Sequence, residues 1–173
     1  PPTTCRRQRQ MCIRDRSLEG VPAFYIHSLF GTQNDYALYK QNNQNRSLNR
    51  GKIKISEIDL SNESESQSHI FLQLKKLMLI RKKQPAFHPN AVQFTLHLGS
   101  NLYGIWRQSL DKKQSIFCIS NLTDEIVKLS LLDLNLIGFD HWRDIITEIE
   151  IDDITSEIEF SPYQAMWLTN LQD

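Results

Sequence analysis

Gly20-Val21-Pro22-Ala23-Phe24-Tyr25-Ile26 is a short apolar run behind a glycine, with little alternation between polar and apolar positions. A strand covered on both faces reads this way, and such strands belong to parallel sheets flanked by helices. Downstream, His27 to Arg50 turns polar, with Gly31, five asparagines (Asn34, Asn42, Asn43, Asn45, Asn49) and no clear period. So long a stretch behind a buried strand is either disordered or a functional loop. Tyr36, Tyr39, Arg46 and Arg50 punctuate it as a site-forming loop would be punctuated. Ile53 to Leu60 has room for a short helical turn, and Ser61 to Ser68 is rich in Ser and Glu. The spacing then predicts a helix over 67–83, with Ile70, Leu74, Leu77, Met78 and Arg81 on one face. Bases crowd its last turns, where they suit the negative end of the helix dipole, and Pro85 closes it. Strand, loop and amphipathic helix make one βα unit.

After Pro89 the pattern changes. Strands are expected at 92–98, 102–108, 115–120, 126–131, 142–146, 157–160 and 165–169, with turns at Gly99-Ser100-Asn101 and Asp111-Lys112-Lys113. Short strands at regular spacing argue for an antiparallel sandwich or small barrel. The expected fold class is thus an α/β piece, residues 18–86, followed by an all-β sandwich domain, residues 87–173. A doubly covered parallel strand needs a neighbour on each side, and no downstream strand is joined to Val21–Ile26 by a crossover helix. The partner strands are therefore expected upstream, outside this chain.

Residues 1–17 stand apart. Arg6 to Arg16 reads Arg-Arg-Gln-Arg-Gln-Met-Cys-Ile-Arg-Asp-Arg. A basic arm for nucleic acid and a targeting peptide are two readings of such a run. Back-translated with one choice of codons, however, it resembles over its whole length a transposon-end adapter used in short-read DNA sequencing. It is accordingly read as an artefactual leader and set aside. The chain holds 20 basic and 20 acidic residues; removing the five Arg and one Asp of this run leaves 15 and 19. The remainder is mildly acidic, which removes the support for a nucleic-acid partner. Cys5 and Cys12 fall in the leader, so Cys118, in an apolar strand pattern, is the one thiol that counts, and a lone apolar-strand thiol is buried and inert. With no CxxC pair and no disulfide framework, a reducing, cytoplasmic setting fits. No stretch approaches the ~18 apolar residues of a membrane span, and none near the start resembles a secretory signal.

Gly20-Val-Pro-Ala-Phe-Tyr25, then Leu29-Phe-Gly31 with Asn34-Asp35, then Asn45-Arg46-Ser-Leu-Asn49-Arg50 resemble the eighth strand and following loop of the α-amylase family of glycoside hydrolases. The similarity is to its sucrose phosphorylase-like, glucoside phosphorylase branch. It extends through Gln84-Pro-Ala-Phe87 to the terminal Ser161-Pro-Tyr163 and Trp167-Leu168, and so covers essentially everything after Ser17. The Gly-Val-Pro opening is shared widely; the Arg-Ser-Leu-Asn-Arg element at its distance from Asn-Asp is far more specific. This sequence has Gly51 where many relatives carry His.

The resemblance implies the last βα unit of a (β/α)8 barrel and a C-terminal β-sandwich. Sites in such barrels lie on the loops behind the strands, so residues 27–50 would line the mouth. It implies that Arg46 contacts the glucosyl unit, since a guanidinium offers a planar fork of donors to sugar hydroxyls or a partner carboxylate. Arg50 would brace the loop or help to bind phosphate, and Asn34 and Asp35 would approach the acceptor side. Against these stand plainer readings: Arg46 bridging loop carbonyls, Asn34-Asp35 as a turn, Tyr36 and Tyr39 packed within the loop. The implied reaction is retaining: an Asp attacks the anomeric carbon, a Glu protonates the leaving group, and phosphate takes the glucosyl unit. Those carboxylates belong to earlier strands, so this chain alone would be inactive. Its implied partners are a small sugar and inorganic phosphate, with no cofactor, metal, nucleic acid or membrane. The five histidines show no i, i+4 pair, and Glu148 to Asp153 lacks the order of a calcium loop, reading instead as a solvated strand edge. Asp140 and Asp144 are not substitutes for the missing carboxylates. The donor is left open among sucrose, glucosylglycerate, glucosylglycerol and a phosphorylated sucrose. An α-amylase-type hydrolase and a stand-alone glycan-binding sandwich are the other readings. For the last, Trp106, Trp142 and Trp167 fall in strand patterns that place them in the core rather than in an exposed row.

Overall fold

The computed structural model describes residues 15–54, 66–134, 141–151, 153 and 155–170. Most of the leader and the helical turn expected within Ile53–Leu60 lie outside the described residues. Within the leader, 15–17 are helical, with Arg16 and Ser17 buried. The chain forms two compact units, Ala23–Lys76 on one side and Pro1–Pro22 with Leu77–Asp173 on the other. The division falls within a helix, upstream of the 86/87 boundary read from composition.

In the smaller unit, Val21–Ile26 does not form the expected strand. Residues 21–25 join no ladder, helix α1 begins at Ile26 (Ile26–Leu29), and Val21 is 81% exposed. The reason is physical: a strand exists by pairing its backbone, and no described strand lies beside this one. Tyr25 nonetheless keeps extended dihedrals (φ −78°, ψ 129°). The polar stretch behind it is built of turns: helix α2 (Tyr36–Asn42), then a 3-10 turn (Asn45–Asn49). Helix α3 (Ser66–Lys83) follows, close to its expected span. Ile70 and Leu74 are buried in the smaller unit, Leu77 and Arg81 in the larger, on the face that the spacing assigned. Gly31, at φ +57°, is required here, because a Cβ on it would collide with the Ile70 side chain.

The larger unit is two antiparallel sheets. Strands β1 (Val92–Leu96), β2 (Leu102–Gln108), β3 (Ser115–Asn121), β4 (Val127–Ser130), β5 (Trp142–Asp144), β6 (Ile149–Ile151), β7 (Glu157–Phe160) and β8 (Ala165–Thr169) arrange as β1-β2-β3-β8-β5-β6 and β4-β7. The expected strands are all present, some shorter. The acidic run contributes β6, an edge strand with Ile149 and Glu150 exposed and Ile151 buried.

Both faces of the large sheet are covered. On one, Phe117, Ile119, Met166, Leu168 and Trp142 meet Leu129 and Phe160 of the small sheet. On the other, Ile105, Ile116, Cys118 and Trp167 meet Leu77 of α3 and Ala86-Phe87. That double cover is why β3 and β8 are buried at every position. Trp142 and Trp167 are core residues as expected, and the half-buried Trp106 packs at the rim between Phe94 and Phe117.

Two buried arginines fasten the link before β1. Arg107 of β2, fully enclosed, donates to the carbonyls of Ala86 (3.2 Å) and His88 (2.9 Å). Gln114 accepts from the Ala86 amide at 2.9 Å and completes the cradle. Arg81, on the apolar face of α3 and among the bases of its last turn, is 8% exposed. It donates to the Gly20 carbonyl at 3.2 Å and lies 4.8 Å over the Phe87 ring. Burial, above all, lowers both guanidinium pKa values.

Candidate functional site

The polar loop of the smaller unit gathers every residue that the sequence singled out. Asp35 caps α2: its Oδ1 accepts from the Leu38 amide at 2.8 Å, and Asn43, left-handed at φ 52°, ends the helix. The Asp35 amide donates to the Leu48 carbonyl at 2.7 Å, which ties Asn34-Asp35 directly to the 3-10 turn that carries Arg46. The Asn42 side-chain amide donates to the buried Ser47 hydroxyl at 2.8 Å. The Tyr25 hydroxyl donates to the Asn49 carbonyl. Gly51 closes the knot: a Cβ there would stand 3.3 Å from both Cβ and Oδ2 of Asp35.

On this framework Arg46 and Arg50 are exposed. The Arg46 Nε donates to Gln44 Oε1 at 3.2 Å, a side chain rather than the loop carbonyl of the plainer reading. Arg50 caps the 3-10 turn through its amide, which donates to the Ser47 carbonyl, and its guanidinium projects from the surface. Asn34 is exposed, and its carbonyl accepts from Tyr36. Tyr36 is 62% exposed, so it is not packed within the loop.

The sequence reading missed α2 and the tether from Tyr25. The first had a signal, Asp35 followed by seven residues without Gly or Pro and then Asn43. The second had none, because Tyr25 was absorbed into a strand pattern.

The buried ionisable groups elsewhere serve structure. Cys118 is enclosed, and burial pushes its thiol far above the ordinary range, so it is no nucleophile at neutral pH. Asp144 is enclosed as well; burial raises its pKa while four hydrogen bonds hold the carboxylate. Among the described residues no cluster of three His, Cys, Asp or Glu side chains could hold a metal ion. Nor is any described helix long and apolar enough to cross a membrane.

Comparison with known proteins follows the same lines. The chain is 32% identical over 155 residues to the glucosylglycerate phosphorylase of Escherichia coli K12, a match over 88% of this chain and 26% of that protein. It is 32% identical over 154 residues to the glucosylglycerate phosphorylase of Allomeiothermus silvanus, over 88% of this chain and 25% of that protein. The chain is similar to part of a glucoside phosphorylase. It spans about a quarter of the length of these curated relatives. No family model matches it.

Among solved structures, AmyP bound to maltotriose superposes with a TM-score of 0.73 at 16% identity, over 96% of this chain and 35% of AmyP. The α-amylase of Geobacillus thermoleovorans bound to acarbose gives 0.73 at 15% identity, over 95% and 33%. The fold is shared with about a third of each of these two proteins. The resemblance to a glucoside phosphorylase therefore holds for the chain as a whole, but nothing in these matches singles out sucrose phosphorylase.

Proposed function

We propose that this chain is the C-terminal part of a retaining α-glucoside phosphorylase that splits glucosylglycerate with inorganic phosphate. The observation that carries the reading is the 32% identity, over 88% of the chain, to proteins of that activity. The knotted loop supports it locally. An Asp cap, a tyrosine tether and a close glycine hold two arginines outward on a fixed backbone, as a sugar-binding loop needs. In this reading residues 20–25 become the eighth strand of a (β/α)8 barrel once neighbouring strands pair with them, and 27–50 line its mouth. Arg46 holds hydroxyls of the glucosyl unit, Asn34 and Asp35 face the acceptor side, and Arg50 braces the loop.

The reaction is a double displacement. An aspartate of an earlier strand attacks the anomeric carbon while a glutamic acid donates its proton to the departing glycerate oxygen. Phosphate then attacks the glucosyl ester, giving up a proton to the glutamate, and leaves as α-glucose 1-phosphate. This chain carries neither carboxylate and is inactive alone. The test is phosphate-dependent release of glucose 1-phosphate from glucosylglycerate by the full-length protein. Release of free glucose without phosphate would mark a hydrolase instead, and release from sucrose in preference would move the donor.

A further inference from the structure

A relay of hydrogen bonds runs from the end of α2 to the guanidinium of Arg46. Asn42, the last residue of α2, uses both ends of its side-chain amide. Its Nδ2 donates to the buried Ser47 hydroxyl at 2.8 Å, and its Oδ1 accepts from the Gln44 amide at 3.0 Å. The Gln44 carbonyl in turn accepts from the Ser47 amide at 2.8 Å, so the Gln44 backbone is held through both of its polar groups. Asn43, left-handed at φ 52°, makes the bend between Asn42 and Gln44. From this fixed backbone Gln44 Oε1 accepts from Arg46 Nε at 3.2 Å. Among the described residues nothing accepts from Arg46 Nη1 or Nη2. An unlinked arginine offers a ligand two forks, Nε with one Nη, or the two Nη groups end-on. The bond to Gln44 takes Nε out of the first and leaves the second. It also restrains the side chain beforehand, so that less rotamer freedom remains to be lost when a ligand binds.

We propose that Gln44 is a positioning residue for Arg46, holding the guanidinium so that its Nη1–Nη2 edge, and not its Nε edge, meets two neighbouring hydroxyls of the sugar. The inference rests on the phosphorylase reading above, with Arg46 as the sugar contact, and adds to it a second residue and the edge that is used. Gln44 acts through Arg46 and touches no substrate.

The test is a double-mutant cycle in the full-length protein, reading glucose 1-phosphate formed from glucosylglycerate and phosphate. Gln44→Leu, which keeps the bulk but cannot accept, is expected to lower kcat/KM by about fivefold, the scale of one hydrogen bond, with the thermal midpoint unchanged. Gln44→Glu keeps an acceptor at the same reach and retains the wild-type value. Beside Arg46→Ala, Gln44→Leu has no further effect, because the group it positions is gone. A Gln44→Leu protein with wild-type kcat/KM would overturn the inference and leave the phosphorylase reading standing. So would a loss that persists in full beside Arg46→Ala, a loss shared by Gln44→Glu, or a loss matched by a fall in the thermal midpoint. A folded full-length wild type that forms no glucose 1-phosphate from glucosylglycerate would overturn both. Should Gln44→Leu fail to fold, Gln44→Ala, which removes the acceptor without adding bulk, is read by the same outcomes.

Discussion

Asp144 offers the sharpest check on how the β domain holds together. Its Oδ1 accepts from the amides of Trp167 at 2.8 Å and Ile146 at 3.2 Å. Its Oδ2 accepts from the Thr147 hydroxyl at 2.7 Å and the Thr147 amide at 3.3 Å. One enclosed carboxylate thus pins β5 to β8 and shapes the turn into β6. In Asp144→Asn the carbonyl can keep the Trp167 and Ile146 amides, and the new NH2 then faces two donors. Thr147 is exposed, so water relieves its amide and its hydroxyl can turn to accept, for a net cost of about 1–2 kcal/mol. Asp144→Ala strands the buried Trp167 amide as well and is expected to cost about 3 kcal/mol.

The pH dependence follows from the raised pKa. The native state holds this proton to higher pH than the unfolded chain does, so the group's contribution declines as pH rises above the ordinary aspartate value of 3.8 and levels off beyond the folded pKa. The gap between wild type and Asp144→Asn should therefore be widest at acid pH and narrow toward neutrality. Urea unfolding of residues 18–173, followed by tryptophan fluorescence at several pH values, measures it. A gap that widens with pH, or an alanine variant no less stable than the asparagine variant, would refute the assignment.

Gly31→Ala should destabilise the smaller unit by about 1–3 kcal/mol, because an L side chain at this dihedral is strained and strikes Ile70. Pairing it with Ile70→Val should cost less than the sum of the two single changes, and strict additivity would argue against the contact. With Cys5 and Cys12 replaced by Ser in the whole chain, Cys118 should be silent to a thiol reagent in native buffer and react stoichiometrically in urea; rapid native labelling would contradict its burial. In the full-length protein, Arg46→Ala should lower kcat/KM by about 100-fold through lost hydrogen bonds to the sugar, with the thermal midpoint unchanged. Equal loss of activity and stability would make Arg46 a structural residue instead.

The β domain was open to sequence reading because its strands carry their own turns and its core positions keep their period. Helix α3 was legible for the same reason: four of the five residues placed on its face are buried, Arg81 among them. What the pattern could not give was the partners of Arg81 or the burial of Arg107. Their burial depends on backbone carbonyls from remote segments, Gly20, Ala86 and His88, that no local period records. Val21–Ile26 shows the converse limit. Its composition describes the environment of a sheet, while the structure of this chain supplies no ladder for it. The residues proposed for the site were picked out by a motif, but the way their segments are tied together was not legible, since the bonds from Tyr25 to Asn49 and from Asp35 to Leu48 run between segments that composition treats as unrelated.

The central claim is that this chain is one part of a phosphorylase whose carboxylates lie upstream. A read of the source DNA, primed at the codons for Phe24 to Leu29 and run upstream, tests it most directly. The account predicts that Arg6 to Arg16 is absent from the source and that the frame continues through alternating strand and helix units bearing the nucleophilic Asp and the acid Glu. A frame that stops just before Leu18, or a genomic Arg6–Arg16 run, would contradict it.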